Sequence, residues 1–266
     1  MNLVEFFGLK VKPKLTRGKR MWNPMPTHRR KDGICVLHDK DVNAFLIPAD
    51  NGYVAIDCGY KNSVPMQNAL AALGIAAESV KAVLLTHLDL DHAGGADSRS
   101  HSLFPNAAVY VGREEEKYLS GEYARKKVCG IKCRSPISLR KGYTVLDGGV
   151  FQVDGIELEA VSCYGHTEGH LAYRYKNLLF SGDCIISDGK EGWRFFDFWN
   201  ADGRQLAASL AVLKSYCERQ AVEEVITSHS GVLPPQTAFS HMNESADWRK
   251  KGFCFNPQAP YDVYKK

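Results

Sequence analysis

The chain has 266 residues, of which 44% are hydrophobic and 24% charged, and its formal net charge is +4. That length supports one layered domain or two small ones, and the composition excludes a long disordered chain. No apolar run approaches the roughly 20 residues of a membrane span, and the first ten residues lack the cationic start and apolar core of a secretory signal, so a cytoplasmic location with no membrane partner is expected.

Positive charge collects early. Lys10, Lys12, Lys14, Arg17, Lys19, Arg20, Arg29, Arg30 and Lys31 fall within residues 10–31. Residues 1–32 therefore read as a basic extension ahead of a single domain over 33–266. Trp22, Pro24, Met25 and Pro26 favour a segment that wraps the domain over a nucleic-acid arm. Asn43–Pro48 and Tyr53–Asp57 predict a hairpin turning at Asn51-Gly52. Met66, Leu70 and Leu73 predict a helix that stops at Gly74. Val80–Thr86 predicts a buried strand. Ala107–Val111 predicts another strand and Glu114–Leu119 a short helix, while residues 122–142 are basic and without period. Phe151–Val153 and Ile156–Val161 predict a hairpin around Asp154-Gly155, followed by strands Leu171–Tyr175 and Leu178–Ser181. Leu206, Leu210, Leu213 and Cys217 mark a helix over 203–218 capped at Asp202. Val222–Thr227 predicts a last strand. Strands, a helix and strands again, twice over, define an α/β layered protein. The eight cysteines read as buried free thiols, with Cys129 and Cys133 the one close pair.

The strand at 80–86 runs into Thr86-His87-Leu88-Asp89-Leu90-Asp91-His92-Ala93-Gly94-Gly95. His87, Asp89, Asp91 and His92 put four metal-ligand types within six residues. On an extended segment, His87, Asp89 and Asp91 would share one side, with His92 joining as the chain turns. Unpaired, the two carboxylates would repel one another, and a divalent cation removes that cost. Imidazole with carboxylate suits zinc, iron or manganese.

This run resembles the His-x-His-x-Asp-His signature of the metallo-β-lactamase superfamily, with Asp89 at the second histidine. Other marks resemble that family in its order: Asp57 in Ile-Asp-Cys-Gly; Gly165-His166-Thr167-Glu168-Gly169-His170; Ser181-Gly182-Asp183; and Ser228-His229-Ser230-Gly231. The resemblance spans residues 57 to 231 and implies a four-layer αββα sandwich. It implies two divalent metal ions, zinc foremost, with iron or manganese as alternatives. One would sit on His87, Asp89 and His166, the other on Asp91, His92 and His229. Asp183 would bridge them, and Asp57 and His170 would orient ligands. Asp91 and Asp183 would be the catalytic carboxylates.

The implied reaction is hydrolysis of a small lactone, ester or thioester by a hydroxide shared between two ions, as in the lactonase-like branch. Phosphodiester cleavage and di-iron redox chemistry are the alternatives. A small-molecule substrate is the expected partner rather than nucleic acid, and the sequence leaves the oligomeric state open, a homodimer included. Asp89 adds a negative charge that the usual pattern lacks, so the cluster is expected to be formally neutral and more tolerant of iron or manganese. Trp193–Trp199 is either an apolar pocket wall or core.

Overall fold

A computed structural model describes Phe6 and residues 22–128 and 131–247. Most of the basic N-terminal stretch, Cys129 and Cys254 lie outside those residues. The first half of the chain builds a seven-stranded sheet. Its strands are β1 (His28–Arg29), β2 (Cys35–Asp39), β3 (Val42–Ala49), β4 (Gly52–Ile56), β5 (Val80–Leu84) and β6 (Ala108–Gly112), with an edge strand from the middle of the chain. The unplaced basic segment contributes a short antiparallel pair, β7 (Lys126–Val128) and β8 (Ile131–Cys133), before that edge strand, β9 (Thr144–Leu146). A six-stranded sheet follows from β10 (Gly149–Val153), β11 (Ile156–Ser162), β12 (Leu171–Tyr175) and β13 (Leu178–Gly182). The strands Ile185–Ser187, Gly192–Arg194 and His241–Ser245 form a small separate sheet, and Glu224–Thr227 and Gly231–Leu233 complete the six.

Alternation along the strands sorts side chains into three cores, and the three cores define four layers. Phe45, Ile47, Val54, Ile56 and Leu84 of the first sheet meet Leu171, Tyr173, Phe180 and Ile226 of the second in the central core. Their neighbours Ala44, Leu46, Ala55 and Val83 face outward, onto Met66, Ala69 and Leu70 of helix α1 (Val64–Ala72). Ala172, Leu179 and Val225 face the other way, onto Leu206, Leu210, Leu213 and Cys217 of a long helix at Gly203–Arg219. The chain is an αββα sandwich, as the resemblance implied.

Local chemistry explains the boundaries. Ser63 caps α1 by accepting from the Met66 amide at 3.2 Å, and Gly74 ends the excursion at φ +65°. Asp202 caps the long helix by accepting from the amides of Arg204 and Gln205 at 2.8 and 3.0 Å. The Asp154-Gly155 turn takes positive φ at both residues, as a tight hairpin requires. Residues 22–32 are built into the fold. Arg29 pairs with Cys35 across β1 and β2, and Trp22 is 5% exposed. The described cysteines Cys35, Cys58, Cys163, Cys184 and Cys217 are free and buried, and Cys133 is buried. Among the described residues no helix is long and apolar enough to cross a membrane.

Candidate metal centre

Every candidate ligand lies just beyond the end of a strand. The segment after β5 delivers His87 and Asp89 in extended conformation. The next residues, Leu90–Ala93, form a helical turn instead of continuing extended. Asp91 therefore leaves the side shared by His87 and Asp89 and sits with His92 and His229. The turn fits tightly, because a Cβ at Gly95 would lie 2.3 Å from the Cys58 carbonyl oxygen. The end of β13 delivers Asp183, the loop after β11 delivers His166, and the loop after Glu224–Thr227 delivers His229.

The ligand atoms converge in two outer groups, His87, Asp89 and His166 in one, and Asp91, His92 and His229 in the other, with His87, His92 and Asp183 forming a third that overlaps both. Asp183 lies between them. Its Oδ2 is 3.6 Å from His166 Nε2 and 4.0 Å from His87 Nε2, while its Oδ1 is 3.2 Å from the Nε2 atoms of both His92 and His229. Asp89 Oδ2 lies 3.6 Å from His87 Nε2 and 3.4 Å from His166 Nε2. Ligands about 2.0–2.2 Å from a tetrahedral ion stand roughly 3.3–3.5 Å apart, so these spacings suit a cation.

The imidazoles are held from behind. Thr86 Oγ1 lies 3.0 Å from His87 Nδ1 and donates to Asp57 at 2.8 Å. Asp57 Oδ2 lies 2.8 Å from His92 Nδ1, Asn200 Oδ1 lies 3.0 Å from His166 Nδ1, and the Asp41 carbonyl accepts from His229 Nδ1. With each Nδ1 engaged, each Nε2 faces the centre, the arrangement that fixes tautomer and ring direction in metal sites. His170 Nε2 accepts from the Asp183 amide at 3.1 Å and so positions the central carboxylate. Asp57 adopts φ +59°, a conformation uncommon for a residue other than glycine.

Electrostatics match a cation site. Burial would push Asp183 up, but His229 and His92 reverse this and hold it well below the usual carboxylate range. Burial would push His92 down, and Asp183 and Asp57 instead hold it well above the usual histidine range. Burial pushes His166 down to about 4, which leaves its ring neutral and able to ligate. His87 Nε2, His92 Nε2 and Asp183 Oδ1 are buried and make no well-aligned hydrogen bond to a described residue, although His92 Nε2 and Asp183 Oδ1 lie 3.2 Å apart. Buried polar atoms that converge on one spot are what a divalent ion satisfies, displacing the proton His92 otherwise holds, so the residues fit the metal that the fold implies.

One residue the sequence did not single out changes the charge count. Arg125, 5% exposed, donates from Nε to Asp89 Oδ1 at 2.6 Å and from Nη2 to Asp89 Oδ2 at 2.7 Å. Burial would raise Asp89, and Arg125 more than reverses it, holding the carboxyl well below its usual range. The expected formal neutrality from Asp89 thus fails, because a guanidinium offsets the extra carboxylate. No spacing rule marks one arginine in a basic stretch without period. Asn200 and Thr86 were equally unmarked, since each acts through a side chain on a loop.

The aromatic run proves to be mainly core. Phe195 and Phe196 pack in the cluster around the long helix, yet Phe195 also stands edge-on to His166 at 4.8 Å between ring centres, and Trp22 lies 4.5 Å from His229. Phe198 is 67% exposed. Arg194 pairs with Asp197 at 3.0 Å. Cys184 is fully buried, and burial pushes its thiol well above the usual range, so it makes no nucleophile.

A strand-end cluster of histidines and carboxylates between two sheets, flanked by helices, defines a class of metal-centred αββα proteins. The chain belongs to the metallo-beta-lactamase superfamily, whose sequence profile matches residues 39–229. It is 30% identical over 145 residues to a hydroxyacylglutathione hydrolase from Aeromonas hydrophila, covering 54% of this chain and 47% of that protein. The chain thus spans about half the length of the curated relatives it matches. Among solved structures it is similar to the MIM-2 metallo-beta-lactamase, with a TM-score of 0.59 and 21% identity over 81% of this chain and 86% of the other. A metallo-beta-lactamase from Pontibacter korlensis also has a TM-score of 0.59, with 16% identity over 80% and 94% of the two chains. These two likenesses bear on the fold.

Proposed function

We propose that the chain is a metal-dependent hydrolase that cleaves the acyl carbonyl of a small thioester, lactone or ester. The observation that carries this reading is the pair of ligand groups joined through Asp183, with its Oδ1 and Oδ2 turned to opposite groups. The name of the Aeromonas relative describes hydrolysis of an acyl-glutathione, which supports a thioester as the first substrate class to try. Zinc is the first metal to test, with iron and manganese next.

A divalent ion in such a site supplies Lewis acidity, polarising an acyl oxygen and making water acidic enough to react near neutral pH. The chain's own groups do the remainder. His87, His92, His166 and His229 turn their Nε2 atoms to the centre, and the partners on their Nδ1 atoms stop the rings from turning. Asp183 and Asp91 place carboxylate oxygens at the centre, where they orient the attacking water, and Asp91 takes up its proton. No serine or cysteine nucleophile is required. The site sits where the two sheets meet, and Trp22 and Phe195 back His229 and His166 with apolar surface.

The test is turnover of a panel of acyl-glutathione thioesters, lactones, simple esters and phosphodiesters by protein loaded with zinc, iron or manganese. Turnover of at least one carbonyl substrate, lost in Asp183→Ala and His166→Ala, is expected. Turnover of a bis-aryl phosphodiester alone would refute the acyl reading, and retained activity in either variant would refute the site.

A further inference from the structure

The first ligand group already holds a cation. Arg125 Nη2 bonds Asp89 Oδ2 at 2.7 Å and lies 3.3 Å from His166 Nε2. The His166 tautomer follows from Asn200, whose Nδ2 donates to the Phe195 carbonyl at 2.8 Å and so turns Oδ1 towards His166 Nδ1. The proton is then on Nδ1, the lone pair on Nε2, and the guanidinium donates to that lone pair. The second fork atom, Nε, takes the other Asp89 oxygen at 2.6 Å. Two of the three ligands of this group, Asp89 and His166, are thus engaged by one arginine that is itself 5% exposed. A side chain so deeply set is part of the site, not a surface group that has swung in.

From this geometry we infer that Arg125 serves as the second cation of the centre, so that the chain holds one tightly bound divalent ion rather than two. The inference rests on the metal-hydrolase reading above. The third ligand of the first group, His87 Nε2, is not stranded, because it also lies within 4.8 Å of ligand atoms on His92 and Asp183. A single ion can therefore draw on His87, His92 and Asp183 together or on Asp91, His92 and His229. Charge balance agrees. One guanidinium and one dication match the three carboxylates Asp89, Asp91 and Asp183 before any hydroxide is bound. Arg125 also keeps a buried Nη1 with no acceptor among the described residues, a donor that a substrate oxygen could satisfy.

The experiment is metal stoichiometry on the full chain. Protein is saturated with zinc, freed of loose metal on a desalting column and assayed by elemental analysis. In parallel, cobalt is titrated and its visible absorption followed. Wild type should retain one equivalent and its cobalt spectrum should saturate at one. Arg125→Met should rise to two. Should that variant fold poorly with Asp89 left unpaired, the double variant Arg125→Met, Asp89→His removes both charges and should also take two. Two equivalents in wild type, or one in all the variants, would overturn the inference while leaving the hydrolase reading intact. No retained metal in any of these proteins would overturn both.

Discussion

Asp57 stands behind the ligand groups rather than in them, yet changing it to asparagine should weaken metal binding. Its carboxylate accepts from the Thr86 amide and hydroxyl, each at 2.8 Å, and lies 2.8 Å from His92 Nδ1. It is 1% exposed. Asparagine has nearly the same shape and can keep one acceptor for the Thr86 amide. Its NH2 then stands where an acceptor faced His92. To avoid donor against donor, His92 must put its proton on Nε2, the atom that faces the centre, and so lose the lone pair needed for ligation. Losing an outer partner of a ligating histidine typically costs about 10- to 100-fold in metal affinity, or roughly 1.4–2.7 kcal/mol. Competition with a chromophoric chelator measures this directly, and circular dichroism checks that the variant is folded. A folded Asp57→Asn protein with wild-type metal affinity would show that tautomer control by Asp57 is not what prepares His92.

The remaining predictions address other parts of the molecule. Asp97 is buried and accepts from Arg99 Nη2 at 2.8 Å, with Lys61 Nζ at 3.3 Å. Burial would raise its pKa, but Arg99 and Lys61 hold it below the usual value. A depressed carboxylate contributes stability above its unfolded pKa of about 3.9 and loses it as pH falls through the folded value. Asp97→Asn should therefore cost about 1.5–3 kcal/mol in urea melts at pH 7, and little once Asp97 is protonated in acid. Gly182 has φ +53°, and a Cβ there would lie 2.5 Å from His170 Nε2. Gly182→Ala should destabilise by about 1–3 kcal/mol and displace Asp183, read as a lower melting temperature together with weaker metal binding. Adding metal at about 100 times its dissociation constant should stabilise the stripped protein by about 2.7 kcal/mol, or roughly 5–10 °C in melting temperature at this size. Unchanged melting after chelation would contradict it.

Much of the centre was legible because its residues sit in short motifs at strand ends, where alternation, glycines and apolar flanks make each one readable. The structure brings His87, Asp89, Asp91, His92, His166 and His229 together around Asp183. The cluster's local shape was misread, since nothing in Leu90-Asp91-His92-Ala93 alone distinguishes an extended run from one helical turn. Tertiary fit decides it, through Gly94 and Gly95 lying against Gly59 and Cys58. Arg125 was invisible for a different reason. It stands in a basic segment with Lys126, Lys127, Lys132 and Arg134, whose sequence carries no hydrophobic period to single Arg125 out. The helices and central strands were readable because one side chain in two, or one in three or four, had to be apolar to reach a core. The N-terminal strand β1 was not, because it is two residues long and gains its place by pairing with β2.

The ligands divide between the two halves of the sandwich, and that division has a mechanical result. His87, Asp89, Asp91 and His92 follow the first sheet, while His166, Asp183 and His229 follow the second. An ion bound to both sets is a rivet through the seam between the sheets, and its binding energy is also the energy of keeping the halves docked. Stripping it should loosen the seam before either sheet melts, so amides along the inner faces of β5 and β13 would exchange with solvent sooner than those under the outer helices.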